Sequence, residues 1–229
     1  MTKTKKPRYY ISPSDLTFLF GECKRCFWLK YHKGISTPGF MPLVGPMSAM
    51  QEAYYRNKPS KLLDSQLPDG SISRFGEAVE STSIVINGEE TRWRIKGKFD
   101  LVVEYNNGTV GLVDCKVTTS TMDDSKVAHY QPQLEAYCYA LENPLNGTPA
   151  LVAHSGLMMW KVAGTYKNET ECNVFNTEAA FLMVPRDPES FQRFVEEVIV
   201  VLDGHIPDSD TRCKYCAYVD KRQEWSLTR

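Results

Sequence analysis

Residues 100–116, DLVVEYNNGTVGLVDCK, constrain this chain more than any other stretch. Two apolar runs flank Asn106-Asn107-Gly108, a turn that suits an antiparallel hairpin. Asp100 opens the first strand and Asp114 closes the second. Counted from the turn, the two acids fall nearly opposite each other at the open end of the hairpin. Facing carboxylates repel unless a cation sits between them. Alternation sends Lys116 to the same face as Asp114. An acid-x-lysine triplet alone reads as a salt bridge at a sheet edge, so the rest of the chain must decide its meaning.

The order of elements predicts one mixed α/β sheet with helices packed on it. Residues 1–10 read as a basic arm. Ser12-Pro13-Ser14-Asp15 predicts a helix start with Ser12 as N-cap, and Gly34 ends that segment. Met47–Asn57 reads as a short helix, and residues 58–75, rich in Ser, Pro and Gly, as a long loop. Strands are expected over Ser83–Ile86 and Thr91–Lys96, joined at Asn87-Gly88, then over Phe99–Tyr105 and Thr109–Cys115. A helix over Ser125–Leu141, strands over Ala150–Trp160 and Ala179–Val184, and a helix from Asp187 to Gly204 complete the pattern. Residues 205–229 read as a tail.

The 229 residues carry a net charge of −1, so any nucleic-acid contact must come from a local patch. No apolar run reaches membrane-spanning length and no signal peptide is visible, which points to a cytoplasmic protein. Seven cysteines in such a chain speak for metal or catalysis rather than a disulfide scaffold. Four of them form two pairs, Cys23/Cys26 in CKRC and Cys213/Cys216 in CKYC. Each pair can clamp one edge of a tetrahedron, and joining them would staple the N-terminal helix to the tail. Cys115, Cys138 and Cys172 read as packing residues. His129, His154 and His205 show no ligand spacing.

The two acids and the lysine suit metal-assisted hydrolysis of a phosphodiester. Asp100 and Asp114 offer hard oxygen ligands to magnesium or manganese, and Lys116 positions a water or stabilises charge. On the following helix, Tyr130, Gln133 and Tyr137 in YQPQLEAY share one face. Basic residues near the cysteine pairs (Lys24, Arg25, Lys30, Lys33, Arg212, Lys214, Lys221 and Arg222) interleave with Phe27, Trp28, Tyr31, Tyr215 and Tyr218. That mixture suits single-stranded nucleic acid.

The series GKFD, VDCK and QLEAY resembles the PD-(D/E)xK nuclease superfamily in its RecB-like branch. The resemblance implies a restriction-endonuclease-like core over about 40–204 in a single domain. It also implies a cysteine-rich lid formed by both termini, residues 12–34 and 205–229. It makes Asp100, Asp114 and Lys116 catalytic, with Gln133 and Tyr137 in support, and the Cys115 carbonyl a further metal ligand. A subset of this branch, including CRISPR-associated nucleases, AddB and exonuclease V, holds a 4Fe-4S cluster. The resemblance therefore favours such a cluster at Cys23, Cys26, Cys213 and Cys216, with zinc as the alternative. Those relatives usually place one cysteine before the core and three after, whereas this chain has two and two. Many relatives also carry a histidine or glutamate on an upstream helix; the corresponding stretch here, GPMSAMQEAYYR, offers only Gln51 or Glu52. The implied activity is cleavage of DNA, single strands above duplexes, by exonuclease or flap cutting. The rival readings are an inactive DNA-holding subunit of a repair or adaptation complex, and a zinc-stapled protein with a structural acid pair.

Overall fold

The computed structural model describes residues 9–37, 43–167, 170–171 and 173–227. The basic residues 1–8, Pro38, Pro42 and Cys172 lie outside the described residues. The chain opens with β1 (Tyr10–Ile11), α1 (Pro13–Asp15) and a π-helical stretch, Leu16–Phe20, followed by α2 (Lys24–Lys33) and α3 (Val44–Tyr55). A 3-10 turn at Ser60–Leu62 leads to β2 (Gly70–Phe75), β3 (Ala78–Glu80), β4 (Val85–Ile86), β5 (Glu89–Glu90) and β6 (Arg94–Lys98). Then come β7 (Leu101–Tyr105), β8 (Val110–Thr118), α4 (Asp124–Glu142), β9 (Val152–Lys167), β10 (Asn173–Val184), α5 (Pro188–Asp203) and α6 (Lys214–Leu227).

The central sheet runs β10-β9-β8-β7-β2, with β8 and β9 parallel and the other pairs antiparallel. A smaller sheet, β1-β6-β3, stands beside it. The fold is thus the expected mixed α/β arrangement. Its central strands β7 and β8 are apolar on both faces because helices cover both. Leu101, Val103, Val113 and Cys115 pack toward Tyr55 at the end of α3. Val102, Val110 and Leu112 pack into the larger core with Leu134, Ala136 and Tyr137 of α4. Even-numbered positions of β8 therefore face α4, and Asp114 and Lys116 follow Leu112 on that side. The β8–α4–β9 crossover carries α4 back over the strand it follows.

Several local expectations are corrected. Residues 58–75 are not one loop: Gly70–Phe75 forms the edge strand β2, in which only Ile72 is fully buried. The Asn87-Gly88 turn joins only β4 and β5, and the strand after it begins at Arg94. The tail holds a helix, α6. Ser12 makes no capping bond to the backbone; its hydroxyl pairs with that of Ser14. Asp15 turns inward instead, accepting hydrogen bonds from Lys30 Nζ at 2.6 Å and Tyr31 Oη at 2.8 Å. Gly34 does end α2, in the left-handed region at φ 67° that glycine tolerates. No helix among the described residues is long and apolar enough to cross a membrane.

Candidate functional site

The β7–β8 register sets Leu101 against Val113, so Asp100 and Asp114 meet at the next step. The Cys115 N–H donates to Asp100 Oδ2 at 2.7 Å. Asp114 is 4% exposed and forms an ion pair with Lys116. Gln133 Nε2, at the start of the buried stretch of the crossover helix α4, donates to Asp114 Oδ1 at 2.8 Å. Tyr137 does not reach the acids; its hydroxyl donates to the Lys98 carbonyl at 2.8 Å, two residues before Asp100. Tyr130 completes that helix face, with Lys116 Nζ 5.1 Å from its ring centre.

The electrostatics follow from this crowding. Burial, then the Asp114 charge, pushes the Asp100 carboxyl up to about 6, against the opposing pull of Lys116 and the Cys115 N–H. Burial alone would lower the Lys116 ammonium, but the carboxylates of Asp114 and Asp100 outweigh it and raise its pKa. Lys116 is therefore a cation at neutral pH. The Cys115 thiol is held well above its ordinary value by burial and the two acids.

Upstream, α3 supplies two residues that the sequence could not assign. Gln51 is fully buried, and its Nε2 donates to the Lys116 and Met158 carbonyls at 3.3 Å each. Glu52 accepts a hydrogen bond from Arg56 at 2.8 Å, and its charge also raises Asp100. Gln51 thus braces the strand from beneath, while Glu52 contributes a third carboxylate to the field at Asp100. Position in a helix could not have separated these neighbours; only the packing of α3 on β8 does so.

A divalent cation fits this donor set. A buried acid, Asp114, and a half-buried one, Asp100, converge; Asp114 Oδ2 is ion-paired with Lys116, and Gln133 Oε1 is buried without a hydrogen bond. Converging carboxylate oxygens are the hard ligands that magnesium or manganese takes. Asp100 and Asp114 would hold the ion.

The four paired cysteines meet at the opposite end of α2. Their Sγ atoms all lie within 4.8 Å of one another and all four residues are buried. Cys23 to Cys216 is 3.7 Å, Cys26 to Cys213 is 3.7 Å and Cys26 to Cys216 is 4.0 Å. Each pair opens a helix: Cys23 is the N-cap of α2 and Cys213 directly precedes α6. Burial raises the Cys23 and Cys26 thiols. At Cys213 burial is outweighed by the N–H groups of Cys216 and Tyr215, which lower it. Helix N-termini favour thiolate in this way. Cys115 and Cys138 are buried packing residues, as expected.

The basic and aromatic lid is open only in part: Tyr218, Lys214, Lys221 and Arg222 are exposed, while others are used internally. Phe27 is fully buried and Tyr31 nearly so. Trp28 stacks on His32 and donates to the Gly204 carbonyl. Lys24 pairs with Glu197, Lys30 with Asp15 and Arg212 with Asp210, and Arg25 donates to the Pro207 carbonyl. Half of these eight cations are paired in this way, and Lys33, Lys214, Lys221 and Arg222 stay exposed.

No curated protein sequence matches the chain. Among solved structures, that of SSO0001 aligns with a TM-score of 0.47 and 15% identity, covering 94% of this chain and 86% of that one. Residues 49–220 match the PD-(D/E)XK nuclease superfamily. The matched span holds Gln51, Glu52, the acid-bearing hairpin and the glutamine-bearing crossover helix, and by that agreement of site and sequence the chain belongs to the PD-(D/E)XK nuclease superfamily.

Proposed function

We propose that this protein hydrolyses phosphodiester bonds of single-stranded DNA, with magnesium or manganese held by Asp100 and Asp114 and by the Cys115 carbonyl. The observation that carries the reading is the meeting of the buried Asp114 of β8 and the half-buried Asp100 just before β7 with the Lys116 ammonium. When bound, the metal polarises the phosphate and acidifies a water. Asp100 and Asp114 are fixed for that task by the Cys115 N–H and the Gln133 amide. Lys116, protonated at neutral pH, stabilises charge on the phosphate rather than taking a proton. Tyr137 positions Asp100 through the backbone of Lys98. The test is incubation of the full chain with end-labelled single-stranded DNA, with manganese and then with EDTA. Cleavage with manganese alone supports the reading. Binding without cleavage across single-stranded, duplex and flap substrates would make the chain a DNA-holding subunit.

A pH effect follows. An aspartate free in an unfolded chain titrates near 4, so at pH 7 burying ionised Asp100 costs the metal-free protein about 3 kcal/mol. The native state binds the proton more tightly. Metal-free stability therefore falls as pH rises from about 4 to about 6 and then levels off with respect to this group. A divalent ion reverses the cost but must displace the proton. Manganese is expected to raise the melting temperature more at pH 7.5 than at pH 5. Thermal melts with and without manganese check this, and an equal shift at both pH values would remove Asp100 from the metal site.

The four thiolates support a second, structural metal centre. Four sulfurs around one tetrahedral ion with bonds near 2.3 Å lie about 3.8 Å apart. The observed 3.7, 3.7 and 4.0 Å match that edge. Four buried thiolates within 4.8 Å of one another suit either the 4Fe-4S cluster that the family resemblance implies or zinc.

A further inference from the structure

We propose that Phe18, His129 and Tyr130 form a stacking platform for one nucleobase of a single-stranded substrate, placed beside Lys116; the inference rests on the nucleic-acid reading of the site above. The π-helical stretch Leu16–Phe20 buries Leu16, Thr17, Leu19 and Phe20 but leaves Phe18 48% exposed. Short π-helical segments are uncommon and recur at functional sites. A single exposed apolar ring is ordinary on a protein surface. The setting of this one is what carries the argument. Its ring meets Tyr130 at 5.6 Å and His129 at 5.6 Å, and those two meet each other at 4.9 Å. All three contacts are edge to face, at 70–79°, so no ring is sandwiched by another. Tyr130 is at the same time the ring over which the Lys116 ammonium sits.

On its other side Phe18 lines a cleft of about 360 Å³ that reaches the cysteine centre and is bordered by Arg212 and Lys214. A strand lying there passes exposed cations, then a cluster of aromatic edges and faces, then the lysine of the candidate site. Phosphate contacts and a π-face are the two things single strands require, and every base offers a π-face, so such a platform selects unpaired bases without selecting sequence. Bases in a duplex are already stacked on their neighbours and would have to be unpaired to use it. The platform therefore assigns the single-strand preference to a specific residue, one that the apolar spacing of Leu16, Leu19 and Phe20 passes over.

The experiment uses the full chain in EDTA with a single-stranded oligonucleotide carrying one 2-aminopurine, whose fluorescence falls when it stacks. The wild type is expected to quench the probe on binding. Phe18→Ala is expected to bind roughly 5- to 150-fold more weakly and without quenching, and Phe18→Tyr to keep both. An oligonucleotide abasic at the probe position should bind the wild type and Phe18→Ala alike. Equal quenching by wild type and Phe18→Ala, an Ala penalty that persists on the abasic strand, or no binding by the wild type overturns the platform. Circular dichroism of each variant checks that the fold is kept. Quenching without manganese-dependent cleavage sustains the platform and sinks the nuclease reading; cleavage with a Phe18→Ala variant that binds normally does the reverse.

Discussion

Asp114→Asn is expected to lower manganese-dependent cleavage of single-stranded DNA by about a thousandfold, equivalent to about 4 kcal/mol in the barrier. The substitution preserves shape, and an asparagine carbonyl still accepts from Gln133. What it removes is a charge in a place where water cannot replace it. Asp114 is both the partner of Lys116 and the second cause of the raised Asp100. Without it, Asp100 ionises more easily but stands alone as a carboxylate ligand. Metal affinity and rate should fall together. Lys116→Ala separates the two roles. It removes the cation that faces the phosphate and leaves both acids in place, so cleavage is lost while manganese still stabilises the fold. Single-turnover cleavage and the manganese-induced shift in melting temperature read the two effects independently. Cleavage within tenfold of wild type by either variant would show that this constellation is a structural ion pair.

The parts of the site legible in the sequence are those set by short-range periodicity. A two-residue period and a tight turn put Asp100 opposite Asp114 and brought Lys116 to the same face. A 3.6-residue period put Tyr130, Gln133 and Tyr137 on one side of α4, and CxxC spacing announced the thiolate pairs. Each of these depends on residues within about twenty positions of one another, or on a chemistry that admits few geometries. What was illegible depends on partners far away in the chain. The strand β2 reads GSISRF, polar enough to pass for a loop, because an edge strand needs only one buried side chain, Ile72, and a neighbour to pair with. Phe18 lies in a segment whose apolar spacing reads as an ordinary helix, and the wider π turn that exposes it leaves no local signature. That Lys24, Lys30 and Arg25 are held by Glu197, Asp15 and the Pro207 carbonyl was equally hidden, because those partners are not sequence neighbours.

The second large effect is expected at the cysteines. Between residues 213 and 225, only Cys213 and Cys216 are buried. A helix that buries so little apolar surface gains little from packing, and helices of this length are marginal on their own. The attachment of α6 therefore runs mainly through its two thiolates. Structural zinc sites supply binding free energies of about 10–16 kcal/mol, comparable to the whole stability of a domain. Losing one thiolate in four is expected to cost at least about 5 kcal/mol, which is ~10–20 °C in melting temperature for a chain of this size. Cys213→Ser should lose its metal and release α6, and limited proteolysis should then cut within Lys214–Leu227 while the sheet stays intact. Metal analysis of the wild type separates the two candidates: four irons per chain mark the cluster, one zinc per chain the single ion, and either leaves the staple standing. An unchanged melting temperature and an uncut α6 in Cys213→Ser would overturn the staple itself. The two substitutions also test whether the centres are separate. The sulfur site closes the lid and the oxygen site sits in the middle of β8, so Cys213→Ser should weaken binding of the strand through the cleft that Arg212 and Lys214 border, and Asp114→Asn should leave the thiolate centre fully loaded.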